Sequence, residues 1–390
     1  MKNILIIYLL TFLSFNAISQ EENGIVYDSI YSEALEESRD YWVKLPDNYN
    51  PKSEAEYPVV FLLDGFSMQN MLVTVYETYW GHYMPHMILV GISNRNNRTQ
   101  DLTESSNREE ASDDFIHFIG ELITHIDSEY NCSDYRTLIG HSYAGLLTIN
   151  ILLNHDHMFR NYISIDPSLH WDQQHLLAIA KNKMPKQDLK GKALFISLAA
   201  EQLNIYDESV TMDNLMQDTS EFSRFARAVV AFSEFIESQS HNGLNFAWKA
   251  YPEDLHGTVP LPTMRDGLVY LFNWYQFQSP QKYNNPDTPI EELKELLQAQ
   301  AKIYSENLGV NSPPLAEELF IGYGFMYMHT GRAKKAELFL TQALEFYPKS
   351  LNVLDALIEF ANMQDDEEAS SKYRKLAYEL SGDRKYMVKK

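Results

Sequence analysis

The feature that most constrains the fold is a set of short apolar runs that do not alternate. Pro58-Val59-Val60-Phe61-Leu62-Leu63 stops at Asp64-Gly65, and Met87-Ile88-Leu89-Val90-Gly91-Ile92 has the same character. A strand with one wet face alternates apolar and polar residues, whereas a strand covered on both faces has no need to. Further strands are expected at 41–46, 137–140, 162–165, 193–198 and 246–251. Between them, helical spacing shows in 115–130 (Phe115, Ile119, Leu122, Ile123, Ile126), 146–153, 222–236 and 264–274. Strands alternating with helices specify an α/β fold, a mainly parallel sheet with helices on both faces.

The pattern stops at residues 278–289, where Pro280, Asn284, Asn285, Pro286 and Pro289 mark a linker. No strand pattern follows. Tyr327, Gly331, Ala336, Ala343 and Pro348 stand at tetratricopeptide-repeat offsets, with Gly324 and Leu340 in the small and apolar slots. A second, weaker unit runs on from Leu351 with Ser370 and Ala377 at the small positions, while Arg374 replaces the usual aromatic residue. A plain helical hairpin is the simpler alternative. The expected organisation is a main α/β domain over residues 20–280 and a small all-α helical-repeat domain over 281–390.

Residues 1–19 read as a signal peptide. Lys2 precedes an apolar run from Ile4 to Phe15, short of the ~20 residues of a membrane span, and Ala17-Ile18-Ser19 is a small-x-small cleavage site before Gln20. The expectation is an exported chain, periplasmic or secreted, with no stable membrane span. One cysteine, Cys132, excludes an internal disulfide, so the fold rests on its apolar core. A formal net charge of −22 argues against nucleic acid as a partner, because phosphate binding needs clustered Lys and Arg.

Chemistry enters at Gly140-His141-Ser142-Tyr143-Ala144-Gly145, between a short strand and an apolar helix. In a strand–turn–helix elbow the serine sits on a sharp turn with its hydroxyl above the sheet edge. Small flanking residues are needed where the backbones converge; here the residue two beyond the serine is Ala144 rather than glycine. A serine nucleophile needs a base. In hydrolases built on such an elbow the order is serine, acid, histidine, which selects His256, just after the last expected strand. For the acid, Glu201 after the 193–198 strand is favoured; Asp166, Asp207 and Asp254 are the alternatives. The acid must accept a hydrogen bond from Nδ1 so that Nε2 faces the serine. Oxyanion donors are expected from the Tyr143 and Phe66 amides. His141 and Trp171 are the candidates for substrate contact.

Taken together, several stretches resemble a known family: 32–39 (Ser-Glu-Ala-Leu-Glu-Glu-Ser-Arg), 57–65, Val90-Gly91-Ile92, Arg98-Thr99-Gln100-Asp101-Leu102-Thr103, the serine elbow, His256-Gly257-Thr258-Val259-Pro260-Leu261 and Asp266-Gly267-Leu268. The chain over about 28–275 resembles the esterases that include esterase D, the enterochelin-type siderophore esterases and feruloyl esterases. The resemblance implies an α/β-hydrolase fold and hydrolysis of carboxylic esters or thioesters through an acyl-enzyme, with no metal or organic cofactor. Ser142 and His256 match the family's nucleophile and base; the acid maps onto no single position. The substrate class implied is a small-molecule or glycan ester. Two rivals stand beside this reading: an acyltransferase on the same fold, and an inactive hydrolase fold that binds through its helical tail. The tail itself is expected to bind protein or mediate self-association.

Overall fold

The computed structural model describes residues 20–387 except 23, 48, 53–55, 95–96, 104–109, 202, 204–206 and 309–311. The expected signal peptide therefore lies outside the described residues. A nine-stranded sheet organises the first 280 residues. Its strands are β1 (Gln20–Glu22), β2 (Ile25–Ser32), β3 (Glu37–Lys44), β4 (Tyr57–Leu62), β5 (Ile88–Ile92), β6 (Cys132–His141), β7 (Asn161–Ile165), β8 (Ala193–Ala199) and β9 (Asn245–Tyr251). Their spatial order is β1-β2-β3-β5-β4-β6-β7-β8-β9. β1, β2 and β3 pair antiparallel, as do β3 and β5; every pair from β5 to β9 is parallel.

The non-alternating runs are buried as their composition requires: every residue of β4, β5 and β7 is buried. Helices α1 (Gly65–Tyr79) and α7 (Pro260–Leu271) cover one face. Helices α3 (Glu110–Glu129), α4 (Tyr143–Asn154), α5 (His175–Lys183) and α6 (Arg224–Ser238) cover the other. A five-residue helix, α2 (Arg98–Leu102), precedes α3. The expected short strand at 137–140 is the second half of the longer β6, and the β1–β2 hairpin was not anticipated in the sequence.

Parallel pairing brings the loops after β4, β6, β7, β8 and β9 to one edge, because Leu62 stands beside Ile139 and Gly140 beside Ser164. That edge carries the site, as expected of open parallel sheets. Trp42, fully buried on β3, lies where a side chain on Gly91 would be: a Cβ there would fall 2.0 Å from the indole. The indole nitrogen donates to Gly65 O at 3.1 Å and so fixes the loop after β4.

The remaining helices are α8 (Pro280–Asn284), α9 (Ile290–Leu308), α10 (Glu317–His329), α11 (Ala333–Phe346), α12 (Leu351–Met363) and α13 (Glu367–Ser381). They form cores of their own around Phe320, Tyr327, Phe339 and Leu357 and around Leu354 and Ala377. Gly324 lets α10 approach α11, since a Cβ there would come within 2.5 Å of Leu340. This helical body docks through Tyr304 of α9, which stacks on Tyr275 with centroids 4.7 Å apart, and through Asn307, held by Arg160. Arg160 in turn lies 4.7 Å over the Tyr135 ring, in the first half of β6. The contact is thus at the end of β6 away from the serine, about 20 Å along the strand at the usual rise per residue.

Candidate active site

The serine elbow forms as a strained turn. Ser142 has φ 61° and ψ −115°, closes β6 and caps α4. Positive φ in a non-glycine residue is unfavourable, and here the neighbours hold it: Ser142 N–H donates to Ile165 O at 3.0 Å, while Ser142 O accepts from Leu146 and Ser168 N–H at 3.0 and 3.1 Å. The small-residue requirement falls on Gly140, where a Cβ would lie 2.2 Å from Ala144 O. Ala144 itself fits, fully buried.

His256 stands on the loop between β9 and α7. Thr258 Oγ1 pins that loop by donating to Asp254 Oδ1 at 2.9 Å and accepting from Leu255 N–H at 3.0 Å. His256 Nδ1 donates to Asp166 Oδ2 at 2.6 Å. Asp166 follows β7 at φ 41°; Oδ1 accepts from Ala199 N–H at 3.0 Å, and its own N–H donates to Ser197 Oγ at 3.0 Å. Its side chain is 2% exposed, against 48% for His256. The carboxylate is thus fixed from behind and leaves Nε2 facing outward, the orientation a base needs.

Among the candidate acids, then, the residue that meets the histidine is Asp166. Glu201, the favoured choice, is exposed, and it is its backbone N–H that reaches the histidine loop, donating to Asp254 O at 3.3 Å. Asp207 is spent on Ser209, whose N–H and hydroxyl it accepts. Asp254 accepts from Thr258. The physical reason is register: β7 ends between β6 and β8, which aims the residue after it at the loop from β9, whereas Glu201 has already turned out to solvent.

Ser142 Oγ hydrogen-bonds Ser168 Oγ at 3.2 Å, its only partner among the described residues. Ser168 is buried and carried no signal in the sequence. The His141 ring lies against the His256 ring, centroids 4.4 Å apart. Burial, and secondarily the neighbouring His256, lowers the His141 pKa to about 3. His141 is therefore neutral at ordinary pH. An unfolded chain takes up its proton below about 6.5, so His141 supports the fold fully above that pH and loses this contribution as pH falls toward its folded value. His141→Gln should flatten the fall in urea midpoint between pH 7 and pH 4.5; an unchanged slope would count against this assignment.

Two clefts flank the paired imidazoles. One, about 300 Å³, is lined by Asp64, Phe66, Ser93, Asn94, Arg98 and His141. The other, about 450 Å³, is lined by Asp166, Leu203, Phe222, Phe225, Leu255 and His256. Phe66 sits at the start of α1 in the first cleft, and Tyr143 is the first residue of α4, where helix N–H groups lack intrahelical acceptors. Trp171 packs edge-on to Tyr143 at 5.1 Å. Phe225 stands edge-on to His256 at 5.5 Å. Sequence reading assigned no role to Phe225, Ser168, Asn94 or Arg98; only Arg98 carried a signal, as part of a family-like stretch. Among the described residues no group of carboxylates, histidines and cysteine has the arrangement of a metal site, and none of the helices is long and apolar enough to cross a membrane.

A doubly covered parallel sheet with a strained serine turn, and an acid–histidine pair beside it, defines an ester hydrolase of the α/β-hydrolase type. The family described as "Putative esterase" matches residues 32–241, more than half the chain, and the chain belongs to that family. It is similar to the ferri-bacillibactin esterase BesA of Bacillus subtilis, 25% identical over 205 residues that make up 46% of this chain and 71% of the relative. It is also similar to the siderophore enterobactin esterase of Emericella nidulans, 28% identical over 42% of this chain and 56% of the relative. In fold it resembles an IroE-like serine hydrolase from Shewanella oneidensis, at TM-score 0.59 and 23% identity, covering 91% of this chain and 99% of that one. A protein from Capnocytophaga ochracea resembles it to the same extent, at TM-score 0.60 and 16% identity, covering 91% and 93%.

Proposed function

We propose that the chain hydrolyses its ester through Ser142, His256 and Asp166. The observation that carries this is the 2.6 Å Nδ1–carboxylate bond beside a serine held at φ 61°. When substrate enters, Ser142 Oγ exchanges Ser168 for His256, attacks the ester carbonyl and passes its proton to Nε2. The tetrahedral oxyanion is received by the Phe66 and Tyr143 amides. Nε2 then returns the proton to the departing alcohol, leaving Ser142 acylated. Water repeats the sequence: its proton goes to Nε2, its oxygen to the acyl carbon, and Ser142 recovers its hydroxyl.

The substrate we favour is a siderophore ester, such as a cyclic polyester of acylated hydroxy amino acids. The names of the two relatives support this, and so does the room on both sides of the paired imidazoles of His141 and His256, about 300 and 450 Å³. We place the protein outside the cytoplasm on the strength of residues 1–19. We read α10–α13 as two tetratricopeptide-like units that bind a protein partner or a second copy. A fluorophosphonate should label the wild type and not Ser142→Ala. A panel of trilactone, feruloyl and acetyl esters, assayed with and without a competing alcohol, should show trilactone cleaved fastest and free acid as product. Preference for a feruloyl or acetyl ester would overturn the siderophore assignment, and transfer to the alcohol would make the protein an acyltransferase.

A further inference from the structure

Ser168 takes no part in the triad, yet among the described residues its hydroxyl is the one group that bonds the hydroxyl of the nucleophile, at 3.2 Å. We propose that Ser168 is a positioning residue that latches the Ser142 hydroxyl in the free enzyme and is given up as the ester is attacked; the proposal rests on the reading of Ser142 as nucleophile given above. Two hydroxyls can share a hydrogen bond in either direction, and burial decides the direction here. Ser168 is 3% exposed, and its hydroxyl has no other partner among the described residues. A buried donor left unused is costly, so Ser168 Oγ donates to Ser142 Oγ. Ser142 is half-buried and can turn its own hydrogen to solvent or to Nε2. The bond therefore occupies a lone pair of the oxygen that must attack.

The chain around Ser168 is built to keep it there. Its N–H donates to Ser142 O at 3.1 Å, and its carbonyl accepts from Trp171 N–H at 3.0 Å. The next rings pack against residues of the site: Trp171 against Tyr143 and His170 against Phe225, each pair with centroids 5.1 Å apart. Three consecutive residues then take left-handed backbone, Asp172 at φ 43°, Gln173 at 54° and Gln174 at 64°. None is glycine, so the run is unfavourable in itself and persists only because its surroundings over-determine it. Asp166, at φ 41°, begins the same segment. Strain on both sides of Ser168 marks a segment shaped for its place beside the serine rather than for its own stability. The plain alternative is that Ser168 only braces the strained turn at Ser142. Its backbone N–H does that without help from the hydroxyl.

Ser168→Ala keeps the backbone brace and removes the latch. Labelling by a fluorophosphonate, and the acylation burst with a small ester, should each quicken by about two- to tenfold, the worth of one neutral hydrogen bond made in the ground state and lost in the transition state. Decay of the acyl-enzyme starts from a state in which that bond is already broken, so its rate should stay within about twofold. A hydroxyl that served structure alone would give no gain confined to acylation. Ser168→Cys, with a weaker donor, should fall between the wild type and Ser168→Ala, and it carries the same test if Ser168→Ala does not fold. Acylation unchanged or slower in either folded variant would overturn the latch and leave the triad standing. Fluorophosphonate labelling that persisted in Ser142→Ala would instead remove the reading of Ser142 as nucleophile, and the latch with it.

Discussion

Ser142→Ala is expected to lower turnover of a good ester by on the order of 10⁶-fold with little change in KM. His256→Ala should approach the same loss, and the double variant should be no slower, because nucleophile and base act as one unit. Asp166→Asn should cost about 10⁴-fold, since an amide can donate to Nδ1 and turn the imidazole to the wrong tautomer. The 2.6 Å bond from His256 is what that change removes. Glu201→Gln should leave the rate within about twofold, as a surface change away from the site does. Steady-state kinetics on the last two variants decide between Asp166 and Glu201. If Glu201→Gln were inactive and Asp166→Asn normal, the acid would be Glu201 and the histidine would have to rotate during turnover.

Arg39→Met is expected to destabilise the fold by about 3–5 kcal/mol, read as a drop in urea midpoint. The Arg39 and Asp101 side chains are 7% and 4% exposed and bond through both guanidinium nitrogens. Burial pushes the Asp101 carboxyl up even with Arg39 beside it, so the pair is held at a solvation cost. Removing one member strands the other charge in the interior, which is where the penalty arises. Replacing both, Arg39→Met with Asp101→Leu, should recover most of the lost stability while leaving α2 without its fastening. A midpoint that stayed low in the double variant would show that the loss does not come from the stranded Asp101 charge.

Much of this molecule was legible because its strands are covered on both faces, and continuous apolar runs such as 58–63 have few other solutions. The serine elbow was legible because Gly140 can carry no side chain against Ala144. His256 followed from its place after the last strand. What escaped is what depends on pairs distant in sequence. For the acid the sequence favoured Glu201, with Asp166 among the alternatives; each follows a strand, and only the register of β7 between β6 and β8 brings Asp166 to His256. Arg98 lay in a recognisable stretch, but its partners stand 34 and 43 positions away. The β2 segment, Ile-Val-Tyr-Asp-Ser-Ile-Tyr-Ser, has little periodic contrast and is half exposed, so it becomes a strand only by pairing with β3 along its full length.

The attachment of the helical pairs has a consequence for how this hydrolase can be carried. Tyr304 and Asn307 grip the sheet from behind, at the ends where its parallel strands begin, while the mouth opens where they finish. Whatever seizes the last four helices therefore takes hold of a handle, and the opening stays turned toward incoming molecules. The grip of α9 and the mouth of the site thus lie at opposite ends of the parallel strands.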